Sequence, residues 1–183
     1  FIFSALALLF APIFILIFAP GFYFDTLKQD LAVSLLRIMF PYLALISLVA
    51  FAAGIQNSHN KFSIPAATPL IFNLSLICSA WLVAPKIEIP VMALAWGVLL
   101  AGFLQLLFQI APLATIKKIP VPKIDFQNPG VKKFFILILP AIIAGGIAQI
   151  NLLVDTIFAS LLITGSPTWL YVSDRLIQFP MGI

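Results

Sequence analysis

The segment WLYVSDRLIQFP, residues 169–180, places Asp174 and Arg175 side by side in a predominantly apolar stretch. Ionisable side chains at membrane depth cost about 2.5–3.5 kcal/mol each on insertion scales, and they persist where they face a bundle interior or a water-filled cavity. This stretch therefore predicts a transmembrane helix that presents polar groups to a hydrated interior. Asp174 and Arg175 are the first candidate functional residues.

The composition of the whole chain predicts an integral membrane protein. Of its 183 residues, 63% are hydrophobic and 9% are charged, and the mean hydropathy is +1.18. Soluble domains carry about 25% charged residues, so this chain lacks the polar surface needed to face water. One cysteine and one histidine predict no disulfide, metal site or cofactor. The basic residues flank apolar segments, and we expect no nucleic-acid partner.

Hydropathy divides the chain into about six spans, which predicts an all-α, polytopic transmembrane helix bundle in a single domain over residues 1–183. A spanning helix needs about 20 apolar residues, and Pro/Gly pairs and polar links separate the segments. The predicted spans are about 1–19, 31–56, 64–84, 91–114, 134–163 and 168–183. The chain starts inside one apolar segment without a basic leader and stops inside another, so we interpret it as an internal piece of a larger protein.

Lysines are distributed unevenly between the connections. Lys61 and the five lysines of residues 117–133 lie on one side, whereas Lys28, in a polar connection with Asp25 and Asp30, and Lys86 lie on the other. The positive-inside rule places the lysine-rich side in the cytoplasm. The connections that contain Lys28 and Lys86 are therefore predicted to face outward, as is the link between the fifth and sixth spans.

Polar side chains inside the second and fourth spans are expected to avoid lipid, either by reaching the membrane interface or by facing other helices. Arg37 lies near the start of the second span and is expected to snorkel to the interface. Gln105 and Gln109 are four residues apart and share one face of the fourth span. Because amides in lipid would lack partners, we expect that face to point into protein.

The fifth and sixth spans hold the remaining polar stripes. The short connection at 164–167 predicts an antiparallel hairpin, in which the two stripes would line a water-accessible hollow. Arg175 would either neutralise Asp155 or Asp174 as a structural charge, or grip a phosphate or carboxylate of a translocated substrate with its planar guanidinium. The candidate site residues are Arg175, Asp174, Asp155, Asn151, Tyr171 and Gln178.

Two carboxylates at membrane depth are also typical of intramembrane aspartyl proteases, in which paired acids divide their pKa values between acid and base roles. Those proteases have a Tyr-Asp pair and a Gly-x-Gly-Asp run. Here Tyr171 stands three residues before Asp174, and the Gly-Gly pair at 145–146 is well before Asp155. The adjacent Arg175 would also hold Asp174 ionised. We therefore expect a transporter rather than an enzyme.

Four stretches resemble the MurJ (MviN) family of lipid II flippases, within the MOP exporter superfamily. They are FPY at 40–42, NSHNKFSIPAATPLIFN at 57–73, ALAWG at 93–97 with LQLLFQ at 104–109, and DTIFAS at 155–160 leading to YVSDRLIQFP at 171–180. The resemblance implies a bundle of fourteen helices in two lobes, of which this chain supplies the third to the eighth. It therefore represents a partial N-terminal lobe and the start of the helices that follow.

The same resemblance implies a function in peptidoglycan biosynthesis. Family members move an undecaprenyl-pyrophosphate-linked precursor from the cytoplasmic to the outer leaflet of the bacterial inner membrane, by alternating access through a cationic cavity. Asp174 and Arg175 match the acidic and basic pair of the family's eighth helix, and Arg175 would meet the pyrophosphate. The implied partners are the lipid-linked precursor and membrane lipids. An ion-coupled multidrug exporter of the same superfamily, with Asp155 and Asp174 supplying negative charge, is the alternative.

Overall fold

The structure is a computed structural model that describes residues 8–115 and 128–181, apart from the side chains of residues 115, 132, 148 and 178–181. In these ranges the chain is helical and contains no strand, which confirms the all-α class. Short turns occur at Pro20–Phe24 and Ala84–Lys86 (3-10) and at Ser79–Val83 (π). The helices are α1 (Ala11–Phe18), α2 (Thr26–Met39), α3 (Pro41–Ser58), α4 (Ser63–Cys78), α5 (Pro90–Thr115), α6 (Pro129–Leu161) and α7 (Ser166–Met181).

Four helical stretches of the described residues are long and apolar enough to cross a membrane. They are Thr26–Ser58, Ser63–Lys86, Pro90–Ala114 and Pro129–Leu161, and they overlap the second to fifth predicted spans. The lysines at 117, 118 and 123 lie outside the described residues. The chain divides into two compact units, of which one contains residues 31–115 and the other contains 12–30 and 128–181. A single domain over residues 1–183 stays a prediction.

The helix that carries Arg37 begins five residues before the predicted span. Asp25 caps α2, since its Oδ1 accepts the backbone N–H of Lys28 at 3.2 Å, and a side-chain acceptor at this position satisfies one of the free N–H groups of the first turn. Lys28 and Asp30 therefore lie in helix α2 rather than in a loop, which corrects the assignment made from the sequence. The polar residues of this segment start a helix instead of separating two helices.

In the unit of residues 31–115, α5 packs against both α3 and α4. Small residues allow the close approach. Ser75 Oγ on α4 donates to the carbonyl of Gly97 at 2.8 Å, and a Cβ added to Gly102 would lie 2.8 Å from a ring carbon of Tyr42 on α3. Because lipid tails are as apolar as the helices, tight van der Waals packing and interhelical hydrogen bonds stabilise such an interface.

A buried amide network joins the same three helices. Gln105 and Gln109 are 3% and 0% exposed, which confirms that their face points into protein. Gln56 on α3 donates to the side-chain oxygen of Gln109 and to its backbone carbonyl at 3.2 Å. On α4, Thr68 accepts from Gln109 Nε2 at its hydroxyl (2.6 Å) and from Gln105 Nε2 at its carbonyl (3.2 Å). The polar side chains thus fasten α5 to its two neighbours.

In the unit of residues 12–30 and 128–181, α6 and α7 form the predicted hairpin. The connection turns at Gly165, whose φ of +104° lies in a region that L side chains rarely adopt. The turn at Pro20–Phe24 packs on the end of α6, where Gly21 N–H donates to Ser160 Oγ at 3.2 Å. A Cβ on Gly21 would overlap the backbone carbonyl of Ser160, so glycine is required for this contact.

We expect Gln109→Leu to lower the free energy of unfolding by about 1–2 kcal/mol. The change removes the side-chain acceptor of Gln56 and the donor to Thr68, and orphaned buried polar groups cost about 1–3 kcal/mol. Thermal or denaturant unfolding of the complete membrane protein would measure the loss. Gln149→Leu is the matched control, because Gln149 is exposed on α6. Equal losses in the two variants would contradict a specific role for the network.

We expect Gly21→Ala to lower the melting temperature, because the new methyl group forces the turn away from the backbone of Ser160. Gly145→Ala provides the control. Gly145 has open space around its Cβ position on α6, and alanine is favoured over glycine in a helix by about 1 kcal/mol. A stabilising effect of both substitutions would show that the turn does not depend on this close contact.

Candidate functional site

Asp155 lines a cavity of ≈ 370 Å³ between α6 and α7. On the α7 side the cavity is bounded by Ser166, Trp169 and Ser173. These three residues are separated by three and four positions, so they lie on one face of the helix, and that face is turned toward α6. The cavity therefore combines one carboxylate and two hydroxyl groups with two aromatic side chains, Phe158 and Trp169, and with aliphatic residues.

Arg175 and Tyr171 form the second polar feature of the hairpin. They are four residues apart on α7, and the Arg175 Cζ atom lies 5.1 Å from the centroid of the Tyr171 ring. This distance is within the range of a cation–π contact. Both side chains are exposed, whereas the neighbouring Asp174 is half-buried. The ring holds the guanidinium from one face and leaves its N–H edge open.

Of the candidate residues whose side chains are described, Asp155 is the one that lines the cavity between α6 and α7, and a hollow shared by the two polar stripes stays a prediction. Arg175 follows Ser173 by two residues, and two residues on a helix are separated by about 200° around the axis. Ser173 borders the cavity and Arg175 does not, so the two residues lie on different faces of α7. Among the described side chains, Arg175 makes no ion pair with Asp155 or Asp174. The ion pair that these side chains do form joins Lys28 to Asp25 at the start of α2.

The remaining candidates are placed as follows. Asn151 is exposed on α6, one turn before Asp155, and does not line the cavity of Asp155. Gln178 lies on α7, but its side chain is outside the described residues. Substrate binding by Arg175 and Asp174 stays a prediction, and so does a cavity-lining role for Asp155, Asn151, Tyr171 and Gln178.

Ser166, Trp169 and Ser173 were not among the site residues predicted from the sequence. Their spacing was the available signal, because residues three and seven positions apart share a helix face. Choosing between that face and the Tyr171–Arg175 face required knowing which one packs against α6. The charged residues of α7 favoured the face of Tyr171 and Arg175 in the prediction, although that face does not border the cavity.

Comparison with known proteins matches the chain to one family along its whole length. The family model described as lipid II flippase MurJ matches residues 1–183. A probable lipid II flippase MurJ of Buchnera aphidicola subsp. Schizaphis graminum is 41% identical, over 99% of this chain and 35% of the relative. A probable lipid II flippase MurJ of Vibrio cholerae is 41% identical, over 91% and 33%, respectively. The lipid II flippase MurJ of Burkholderia cenocepacia is 38% identical, over 90% and 33%. The chain thus spans about a third of the length of these relatives.

We expect a cysteine in place of Ser173 to react with a membrane-impermeant thiol reagent, because the carboxylate of Asp155 favours water in the cavity between α6 and α7. The native Cys78 is exposed and would first be replaced by serine. Val172→Cys is the control at the same depth, since Val172 does not line this cavity. Reaction at position 172 alone would place the water on the opposite side of α7. The extent of labelling in intact membranes is the measurement.

Proposed function

The chain belongs to the lipid II flippase MurJ family, and on that basis we propose that the protein it forms part of translocates a lipid-linked peptidoglycan precursor. The substrate is an undecaprenyl-pyrophosphate lipid, which moves from the cytoplasmic to the outer leaflet by alternating access through a cationic central cavity. The long apolar helices agree with a multi-pass location in the bacterial inner membrane. The family match favours this activity over multidrug export and over intramembrane proteolysis.

The proposal rests on the exposure of Arg175 and on its lack of an ion pair among the described side chains. Its guanidinium is exposed on α7, a helix that also carries Ser173 and Asp174, and among the described side chains it forms no ion pair with a carboxylate. An unpaired charge at membrane depth is costly unless it faces water or a ligand of opposite charge. Arginine offers five N–H donors in a planar fork that matches two phosphate oxygens at once. A pyrophosphate supplies the complementary charge and geometry.

Tyr171 supports this role by positioning. Its ring lies against the guanidinium, so the fork loses less rotamer freedom when it binds. Asp174 is adjacent in sequence but makes no ion pair with Arg175 among the described residues, and the positive charge remains available. We propose Asp174 and Arg175 as the substrate-contacting pair, and Asp155 and Asn151 as polar groups of α6 near the translocation path.

The proposed activity is transport without a chemical step. Binding and release of the intact precursor need no nucleophile and no cofactor, and we expect no catalytic activity from this chain. The partners that follow are the lipid-linked precursor and the surrounding membrane lipids. A nucleic acid is not among them.

We expect Arg175→Ala to reduce translocation of a pyrophosphate-linked lipid by about 10- to 150-fold. A hydrogen bond to a charged group contributes about 1.5–3 kcal/mol, and each 1.4 kcal/mol is tenfold. Arg175→Lys should also be impaired, because an ammonium group cannot form the two parallel bonds of a guanidinium. The measurement is transport by the complete protein reconstituted in vesicles.

Arg37→Lys is the matched control, since Arg37 is an exposed arginine in the last turn of α2, outside the α6–α7 hairpin. Transport by this variant should equal that of the unmodified protein. Full activity of Arg175→Lys would instead assign Arg175 a general electrostatic role. Equal loss of transport in Arg37→Lys and Arg175→Lys would contradict a specific role of Arg175 in substrate binding.

A further inference from the structure

A second cavity, of ≈ 390 Å³, lies at the end of the α6–α7 hairpin. It shares Ala159 and Leu162 with the wall of the cavity of Asp155 and does not include Asp155 itself. Its walls come from the segment around Gly21 to Lys28 and from residues 159–168. Ligand pockets in proteins have volumes of roughly 300–1,000 Å³, so the cavity is large enough for a small headgroup. Lys28 is the charged residue in its wall.

Two contacts build this cavity. The backbone of Gly21 rests directly on Ser160, and Lys28 Nζ donates to Thr164 Oγ1 in the hairpin connection at 2.9 Å. The same Nζ lies 3.1 Å from Asp25 Oδ2. The start of α2 is therefore tied to the hairpin connection by a lysine that also borders the cavity.

The Lys28–Asp25 pair retains binding capacity on both partners. An ammonium group has three N–H donors, of which Asp25 and Thr164 engage two. An ionised carboxylate accepts about four hydrogen bonds. Asp25 receives two from Lys28, through Nζ and the backbone N–H, and a weaker one from the backbone N–H of Leu27, so it can accept one more. The side-chain hydrogen bond from Lys28 holds the pKa of Asp25 below its usual value. Asp25 is therefore charged at neutral pH, and the pair is neutral overall.

Exposed apolar side chains around the pair place the cavity at the depth of lipid headgroups. Tyr23, Phe24 and Leu27 are 61%, 85% and 81% exposed, and aromatic residues concentrate at membrane–water interfaces. The distribution of lysines assigns this end of the hairpin to the outer side. A headgroup of the outer leaflet would therefore be within reach of Lys28.

We propose that this cavity binds the headgroup of a zwitterionic phospholipid that carries a primary ammonium. Its phosphate would lie on Lys28 and Thr164 in the cavity wall, and its ammonium on Asp25, which adjoins the cavity through its ion pair with Lys28. A headgroup with only negative charge would gain the contact with Lys28 but would approach Asp25 against repulsion. A headgroup with both charges satisfies both members of the pair. The acyl chains would leave along the exposed apolar side chains of Phe24 and Leu27.

The test is lipid binding to the complete, detergent-solubilised protein, measured by native mass spectrometry with phosphatidylethanolamine or phosphatidylglycerol. The unmodified protein should bind phosphatidylethanolamine more tightly. Lys28→Gln should weaken that binding about tenfold, as expected for one hydrogen bond to a charged group. Asp25→Asn should reverse the preference in favour of phosphatidylglycerol, because Lys28 would then be an unneutralised cation. Asparagine also caps helices well, so the start of α2 is retained.

Lys86→Gln and Glu88→Gln make the same changes of charge in the other connection that is predicted to face outward, and they should leave both affinities unchanged. The proposal is overturned if the unmodified protein binds the two lipids equally, or if Asp25→Asn keeps the original preference. It is also overturned if the control variants reproduce the effects. The measurement does not involve transport, so its outcome is separate from that of the flippase assay.

Discussion

An amide inside a bilayer has no water to bond, so its partner must come from the protein. The unit of residues 31–115 is organised by this constraint. Gln109 accepts from Gln56 on one neighbouring helix and donates to Thr68 on the other. Lipid exerts little hydrophobic force between apolar helices, and specific hydrogen bonds therefore fix which faces of α3, α4 and α5 meet. The small residues at Gly97 and Gly102 then allow the approach that those bonds require.

In the hairpin of α6 and α7, the polar side chains inside the helices are mostly exposed and not buried between helices. On α6 the described side chains are buried only at Ala159 and Ser160, beside the contact with Gly21. The polar groups farther along, Asn151 and Asp155, are exposed, and so is Arg175 on α7. In the first unit polar side chains are used to hold helices together, whereas on the hairpin they remain accessible.

The sequence predicted the parts of the fold that depend on local pattern. The hydropathy pattern predicted an all-α fold. The four-residue spacing of Gln105 and Gln109 predicted that both side chains lie on one helix face that points into the protein. The short connection after α6 gave the hairpin. The sequence places Gln56 at the end of the second span. The residues around Gln56 do not indicate its hydrogen-bond partner, because Gln109 is 53 residues away in the chain. Asp25 was assigned to a connection, although an acidic residue before an apolar run is also the pattern of a helix cap.

The candidate site shows where local pattern stops being informative. Spacing along α7 correctly groups Tyr171 with Arg175, because both lie on one helix. It cannot decide which face of α7 turns toward α6, since that depends on how the turn at Gly165 directs the second helix. Rotation by about 200° separates Ser173 from Arg175, and it places the carboxylate of Asp155 in one environment and the guanidinium in another. Among the described side chains, the two opposite charges form no ion pair with each other.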